Sequence, residues 1–331
     1  MCFLQMLRLR SLVKAEHSQK NANALPLQNI SMKLRYQFER VAFGAATLLA
    51  RLLPRDFFVD CGKAFGKLAG RIDRRHRLVA IENFQLAFPD AKDTKKSISK
   101  CYEFFGGYLF EMLTCFPRMS SDRLVKYEIE GLEHLKLAHE KGKGVILFGA
   151  HHGAWELHAL AQAIYGYPLG LVVRRLDNPY LEQLLERLRC STGNFTIDKK
   201  QGFRPMLKAL REGKSLAVLM DQNVTTEDRI FVKFFGRYAS TTPAVGLLRL
   251  KTDCELVPVS GYPLSGNRHH FIYGPAVELQ LTGDRQCDVL AITQECTSRL
   301  ESLIREHPEC WLWMHRRWKT QPDKEVLSAE C

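Results

Sequence analysis

A regular alternation of short apolar blocks with amphipathic segments runs from Val145 to Val259 and determines the kind of fold available to this chain. Short uncharged blocks are typical of strands buried on both faces, whereas apolar residues at steps of three or four are typical of helices. Strands that alternate with helices pair in parallel, so we predict an α/β fold with a mostly parallel central sheet flanked by helices. The predicted strands are 145–148, 169–173, 195–197, 215–220 and 255–259, and the predicted helices are 154–164, 179–190, 203–211 and 242–250.

The positive charge of the chain is concentrated in its first third. The 331 residues carry a formal net charge of +12, and residues 1–100 contain 19 Lys and Arg against 8 Asp and Glu. Such a block attracts anionic surfaces, either nucleic acid or the phospholipid face of a membrane. Because no helix-turn-helix, zinc-finger, RRM or KH pattern accompanies it, we favour a membrane surface over nucleic acid.

A segment of this basic third has the pattern of a helix that lies in a membrane interface. Apolar residues recur at steps of three or four from Leu34 to Leu52, and residues 41–50 carry no charge. This uncharged stretch makes about 15 Å of helix, roughly half of a bilayer core. We expect a helix that binds the membrane surface, the alternative being a helix packed on its own domain. The residues predicted to meet anionic lipid are Arg35, Arg40, Arg51, Arg74 and Arg75.

These patterns divide the chain into four segments. We predict a disordered extension at residues 1–31, a basic helical membrane-associating region at 32–120, the α/β domain at 121–322 and a flexible tail at 323–331.

The ends of the predicted strands carry the candidate catalytic residues. In a parallel sheet, ligands bind where the carboxyl ends of the strands meet. Residues 149–156, GAHHGAWE, follow the first strand, while Arg174 and the pair Asp221-Gln222 follow two others. If the helix starts after Gly153, Glu156 lies in its first turn and can approach His151.

An imidazole beside a carboxylate at this position is suited to general-base chemistry. A neutral histidine can take a proton from an alcohol, and the acid fixes its tautomer and stabilises the imidazolium. Glu156 is the favoured partner of His151 and Asp221 is the second candidate, so we expect the larger loss of activity from Glu156→Gln. Helix N-terminal amides would stabilise an oxyanion. Arg174, Asp221 and Gln222 are candidate substrate-binding or oxyanion residues, and paired arginines suit phosphate.

Other interpretations of these residues have less support. His152, Glu156 and His158 have metal-ligating side chains, but His158 faces away from the other two on a helix, so we predict no metal site. Ten cysteines occur without a CxxC pair, and the chain has no GxSxG, P-loop or GxGxxG motif. No organic cofactor is predicted. Arg187 and Arg189, taken singly, are interpreted as solvated surface residues.

Taken together, these residues resemble the lipid A biosynthesis (lauroyl/myristoyl) acyltransferase family, within the wider glycerolipid-type acyltransferases that carry a His-x4-acid motif. The resemblance covers about residues 33–320, although the family more often has Asn before the Trp, where this chain has Ala154. The matching segments are His151 through Glu156, Arg77 through Asn83 to Phe88-Pro89, Arg174 with Asn178, Asp221-Gln222, Phe234-Phe235-Gly236 with Thr241-Thr242-Pro243, and residues 311–319, WLWMHRRWK.

The resemblance implies transfer of an acyl chain from an acyl carrier protein thioester to a hydroxyl of a lipid A precursor, at the cytoplasmic face of a bacterial inner membrane. In this family scheme His151 would deprotonate the acceptor, Glu156 would orient His151, and Arg174 would bind phosphate or steady the oxyanion. It requires no acyl-enzyme, metal or organic cofactor. The alternatives are the same chemistry on a lysophospholipid or another glycolipid, and a non-enzymatic basic membrane-binding protein.

Overall fold

The computed structural model describes residues 25–116 and 127–323, with side chains from residue 32 onward. The described chain begins with four helices, α1 (Leu25–Leu52), α2 (Arg55–Ile72), α3 (Arg74–Ala87) and α4 (Thr94–Cys115). The elements that follow are β1 (Tyr127–Glu130), α5 (Leu132–Glu140), β2 (Val145–Gly149), α6 (Trp155–Ile164), β3 (Leu169–Val173), α7 (Pro179–Cys190), β4 (Phe195–Asp198), α8 (Phe203–Arg211), β5 (Ser215–Leu219), β6 (Ile230–Phe234), β7 (Arg237–Thr241), α9 (Ala244–Thr252), β8 (Glu255–Leu264), β9 (Arg268–Tyr273) and α10 (Arg285–Glu306).

Seven of these strands form one sheet in the order β1-β9-β8-β2-β5-β3-β4. Strands β2, β3, β4, β5 and β8 run in parallel, β9 is antiparallel to β8, and β1 is parallel to β9. The central strand β2 is buried along its whole length, as expected for a strand covered on both faces by helices. The prediction of an α/β fold with a mostly parallel sheet is confirmed. The remaining two strands, β6 and β7, form a separate antiparallel hairpin.

Helix α1 exposes the apolar stripe that its sequence predicts. Leu34, Phe38, Val41 and Leu52 are 66 to 72% exposed. The other side of the helix, which includes Ala50, packs against α2 and α4. The helix therefore packs on its own domain through one side and leaves the predicted apolar stripe exposed on the other.

The boundaries of the predicted segments fall partly outside the described residues. Helix α1 starts at Leu25, before the expected boundary at residue 32. Residues 1–24, 117–126 and 324–331 lie outside the described residues. Most of the predicted extension, the expected boundary at 120–121 and most of the predicted tail fall in these ranges. None of the helices in the described ranges combines the length with the hydropathy that a bilayer-spanning segment needs.

Helices α2 and α4 touch backbone to backbone. Gly62, Gly66 and Gly70 of α2 face α4, and a Cβ at Gly66 would lie 2.1 Å from the carbonyl oxygen of Tyr102. Beyond this contact, α4 carries Phe105 into the core beneath the sheet. The helical region and the α/β domain therefore share one core.

Candidate active site

The register of β2 and β5 brings His151 and Asp221 together. Gly149 pairs with Leu219 at the ends of these parallel strands, and the N–H of Met220 donates to the carbonyl of Gly149 (3.1 Å). His151 and Asp221 each lie two residues beyond their strand. They therefore emerge side by side at the carboxyl edge of the sheet.

Asp221 holds His151 at two points. The distance between His151 Nδ1 and Asp221 Oδ1 is 2.8 Å, and the backbone N–H of His151 donates to Oδ2 (2.9 Å). Because a carboxylate only accepts, the ring proton belongs on Nδ1 and the lone pair on Nε2. The Gln222 side-chain nitrogen lies 3.3 Å from that Nε2. With Nδ1 bonded to the carboxylate, the imidazole presents Nε2 away from the acid that fixes its tautomer.

The surroundings keep Asp221 ionised. Burial alone would raise the pKa of this carboxyl, but the charge and hydrogen bonds of His151, with a further bond from the indole of Trp311, hold it well below its usual range. The side chain of His151 is 12% exposed, whereas that of Asp221 is 4% exposed. The carboxylate is therefore enclosed, and the imidazole lies at the border of the solvent.

A tight turn separates His151 from α6. Gly153 has φ of +65°, and a Cβ there would lie 2.0 Å from the carbonyl oxygen of Gly261. Glycine therefore lets the turn pass against β8. Helix α6 then begins at Trp155, whose ring packs edge-on against the His151 imidazole with centroids 5.1 Å apart.

Glu156 lies in the first turn of α6, as expected, but it is bonded elsewhere. Arg189 Nε donates to Glu156 Oε2 (2.9 Å), and Arg189 Nη2 bonds Oε1. This pair outweighs burial and lowers the pKa of Glu156. Arg189 is only 3% exposed, so its interpretation as a solvated surface residue is wrong. In the structure, the acid that contacts His151 is Asp221, the second candidate of the sequence.

The N-terminus of α6 is also engaged. The backbone N–H of Glu156 donates to the hydroxyl of Tyr108 on α4 (3.1 Å). The sequence suggested that such amides would stabilise an oxyanion. This one is already bonded inside the protein.

The remaining predicted residues lie in two places. Arg174 is exposed at the end of β3, on the same sheet edge and one strand beyond β5. Arg35 pairs with Glu39 (3.2 Å), and the guanidinium of Arg40 lies over the ring of Tyr180 at 5.0 Å. Arg51, Arg74 and Arg75 are exposed on the N-terminal helices.

The histidines considered as metal ligands have structural partners. His152 is buried, with Nδ1 2.8 Å from the Ser260 hydroxyl and Nε2 2.9 Å from the His307 carbonyl oxygen. His158 stacks on the ring of Phe271 with centroids 4.4 Å apart. Across residues 25–116 and 127–323, no group of three His, Cys, Asp or Glu side chains is placed to hold a metal ion.

Residues 310–320, which we call the closing segment, bind both loops of the site. The N–H of Leu312 donates to the carbonyl of His151 (3.0 Å), and the indole of Trp311 donates to Asp221 Oδ2 (2.8 Å). On the other loop, the N–H of Asn223 donates to His315 Nε2 (2.9 Å). The sequence marked this segment only through its aromatic and basic residues. These three contacts connect positions at least 90 residues apart in the chain.

An imidazole held by a buried carboxylate at the edge of a parallel sheet is suited to general-base chemistry. The profile described as "Bacterial lipid A biosynthesis acyltransferase" matches residues 29–320, which is most of the chain. The chain belongs to this family and is an acyltransferase.

Similar proteins agree with this membership. The chain is 27% identical to the lipid A biosynthesis lauroyltransferase of Escherichia coli K12, covering 87% of this chain and 94% of that protein. It is 24% identical to lipid A biosynthesis acyltransferase 2 of Shigella flexneri (83% and 88%). It is 25% identical to the lipid A biosynthesis palmitoleoyltransferase of Escherichia coli K12 (82% and 87%).

Proposed function

We propose that this protein transfers a fatty acyl chain from an acyl carrier protein thioester to a hydroxyl group of a lipid A precursor. His151 is the general base, and Asp221 orients it. The pair His151–Asp221 carries this proposal because it leaves Nε2 as the basic atom of a fixed imidazole. The names of the relatives support the acceptor.

The geometry suits direct transfer in two steps. His151 Nε2 takes the proton of the acceptor hydroxyl while the oxygen attacks the thioester carbonyl, forming a C–O bond and a tetrahedral oxyanion. The oxyanion then collapses, the C–S bond breaks, and the imidazolium returns its proton to the leaving thiolate. Asp221 stabilises the imidazolium between the two steps.

Two polar residues at the same edge are suited to binding the reactants. The side-chain nitrogen of Gln222 lies within hydrogen-bond distance of His151 Nε2. The acceptor hydroxyl would take this same position when it gives its proton to Nε2. Displaced from that position, the amide can donate to the oxyanion. The exposed guanidinium of Arg174 is suited to a phosphate of the acceptor.

The test of this function is acyl transfer by the purified full chain. The substrates are an acyl carrier protein thioester and, in separate reactions, a lipid A precursor and a lysophospholipid, with products identified by mass spectrometry. We expect product with the lipid A precursor and its loss in both His151→Ala and His151→Gln. Product only with the lysophospholipid would overturn the acceptor assignment, and normal turnover without His151 would overturn the base.

The N-terminal helices supply a surface through which this enzyme would meet its lipid substrate. On α1 the stripe that includes Leu34, Phe38 and Val41 is exposed, and α2 adds Phe57 (57%) and Ile72 (65%). We refer to these exposed residues of α1 and α2 as the apolar platform. The N-terminal helices also carry exposed arginines, namely Arg40, Arg51, Arg74 and Arg75.

This combination favours an anionic bilayer over nucleic acid. Phosphodiester backbones offer nothing to bury large aliphatic and aromatic side chains, whereas an interface accepts them beside cationic residues. We infer that the protein lies on the cytoplasmic face of the bacterial inner membrane with the apolar platform inserted among the headgroups.

Sedimentation with vesicles tests the platform. Each fully buried Phe or Leu side chain stabilises binding by about 1.5–3 kcal/mol, so Phe38→Ser with Leu52→Ser should weaken binding to phosphatidylglycerol vesicles by more than about 100-fold. Leu137→Ser changes another exposed leucine (56%), which lies on α5 outside the platform, and is the control. An equal loss of vesicle binding in the double variant and in Leu137→Ser, or no loss in either, would contradict the proposed role of the platform in membrane binding.

A further inference from the structure

The closing segment supplies the third hydrogen bond to the acid of the site. We propose that Trp311 is a positioning residue, whose indole N–H fixes the rotation and the charge of Asp221 and through it the basicity and orientation of His151. This inference rests on the proposed function, because it assigns Trp311 a role toward the base named there.

The hydrogen bonds around Asp221 divide between its two oxygens. Oδ1 faces the ring Nδ1 of His151, while Oδ2 accepts both the His151 backbone N–H and the Trp311 indole N–H (2.8 Å). The two donors on Oδ2 prevent the carboxylate from turning about its own axis. Oδ1 is thereby kept in the plane that the imidazole needs.

Trp311 is itself held firmly. The residue is 1% exposed, and its ring packs edge-on against Trp313 with centroids 4.5 Å apart. Its backbone forms an isolated antiparallel bridge with His152, the neighbour of the base. A side chain this constrained presents its N–H in one place, which is what a positioning residue requires.

The indole also changes the electrostatics of the pair. A hydrogen bond donated to a carboxylate stabilises its charge and weakens its pull on a neighbouring proton. Without the indole, Asp221 would attract the imidazolium proton more strongly. His151 would then remain protonated, and therefore inactive as a base, up to a higher pH.

A second tryptophan of the same segment gives a matched control. Trp313 is 0% exposed, and its indole N–H donates to the Pro308 carbonyl rather than to the acid (2.6 Å). Trp311→Phe and Trp313→Phe therefore each remove one buried indole donor, and only the first removes it from Asp221.

The experiment measures kcat and kcat/KM of the full chain against pH for both variants and for His151→Ala. For Trp311→Phe we expect kcat about 10- to 100-fold lower, KM within about two-fold, and the acidic limb moved upward by about half a pH unit or more. Trp313→Phe should keep the wild-type acidic limb even where its folded fraction is lower, because a limb midpoint does not depend on enzyme amount. Trp311→Tyr is the second variant should Trp311→Phe fold poorly.

The outcomes separate this inference from the proposed function. Loss of activity in His151→Ala together with equal acidic limbs in Trp311→Phe and Trp313→Phe would overturn the role of Trp311 alone. Full activity in His151→Ala would overturn the proposed function itself.

Discussion

His151 and Asp221 are joined by two hydrogen bonds, one from the imidazole Nδ1 and one from the peptide nitrogen of the same histidine. The acid therefore fixes both the ring and the backbone that carries it. A change at Asp221 should alter the tautomer of His151 and the geometry of its loop together.

Asp221→Asn tests this relationship. The amide oxygen of Asn is needed by the two donors now on Oδ2, the His151 N–H and the Trp311 indole, so the amide nitrogen would face Nδ1. That nitrogen cannot accept a proton, so the imidazole would carry its proton on Nε2 and lose its basic atom there. We expect kcat to fall by about 10³- to 10⁴-fold with little change in KM, as measured by initial rates of acyl transfer. Asp253→Asn, at a carboxylate that is 62% exposed and paired with Lys143, should keep the wild-type rate. A mild effect at Asp221 would show that the base needs no acid.

We expect Glu156 and Arg189 to contribute to the stability of the fold as a coupled ion pair. Each is enclosed, and their contact is a two-point ion pair. Removing the carboxylate in Glu156→Gln leaves a buried guanidinium without its counter-charge, which costs about 3–5 kcal/mol of unfolding free energy. Urea unfolding of Glu156→Gln, Arg189→Met and the double variant measures the coupling. The double variant should be more stable than either single variant, and simple additivity would contradict the pair.

Buried neutral histidines should make the fold sensitive to acid. Burial lowers the pKa of His152 to about 4 and that of His315 to about 4. Both values lie below the ordinary histidine pKa of about 6.5, so between these pH values the unfolded chain binds more protons than the folded chain. Their contribution to stability is complete above about pH 6.5 and is lost as the pH falls toward 4, at up to about 1.4 kcal/mol per pH unit for each histidine.

Urea unfolding at about pH 7.5 and about pH 5 measures this loss. His152→Gln should reduce the difference between the two conditions, because one of the titrating imidazoles is gone. His134→Gln, on the partly exposed face of α5, is the control and should leave the difference as it is. An unchanged difference in His152→Gln would refute the assignment.

The glycine contact between α2 and α4 predicts a pair of opposite effects. In Gly66→Ala the new methyl would meet the Tyr102 carbonyl oxygen at 2.1 Å, so we expect a loss of about 3 kcal/mol in unfolding free energy. Gly44 lies on α1 with nothing within 4 Å of a Cβ, so Gly44→Ala should be neutral or stabilising by about 0.5–1 kcal/mol. Thermal unfolding of both variants measures these changes. Equal stability of Gly66→Ala and Gly44→Ala would show that α2 and α4 can move apart to accept the methyl group.

Local patterns were sufficient to predict the five parallel strands β2, β3, β4, β5 and β8 and to place His151 and Asp221 at the same edge of the sheet. Apolar blocks identify buried strands, and parallel pairing places their ends at one edge whatever the tertiary details. The sequence did not mark β1, β9 or the β6–β7 hairpin as strands. Their residues alternate in burial or lie at edges, so their pairing depends on distant partners rather than on composition.

The choice between two acids required the tertiary structure. Whether Glu156 faces His151 depends on the rotation of α6 about its axis, and that rotation is set with Arg189, 33 residues later. The periodicity of α1 likewise left the environment of its apolar side open. A stripe at helical spacing shows that one side is apolar but not whether that side meets protein or lipid. The role of Trp311 had no local signal, because its partner is 90 residues away.

The glycine contact between α2 and α4 also connects the apolar platform to the candidate active site. Helix α2 carries part of the apolar platform, and α4 carries the Tyr108 hydroxyl that accepts the α6 amide next to the base. No flexible side chain separates the two backbones where they cross. With the platform inserted in a bilayer, as proposed, this contact would tie the position of α4, and of the α6 N-terminus beside His151, to that of the platform. We therefore expect the lipid acceptor, rather than these helices, to move when its hydroxyl comes within reach of His151 Nε2.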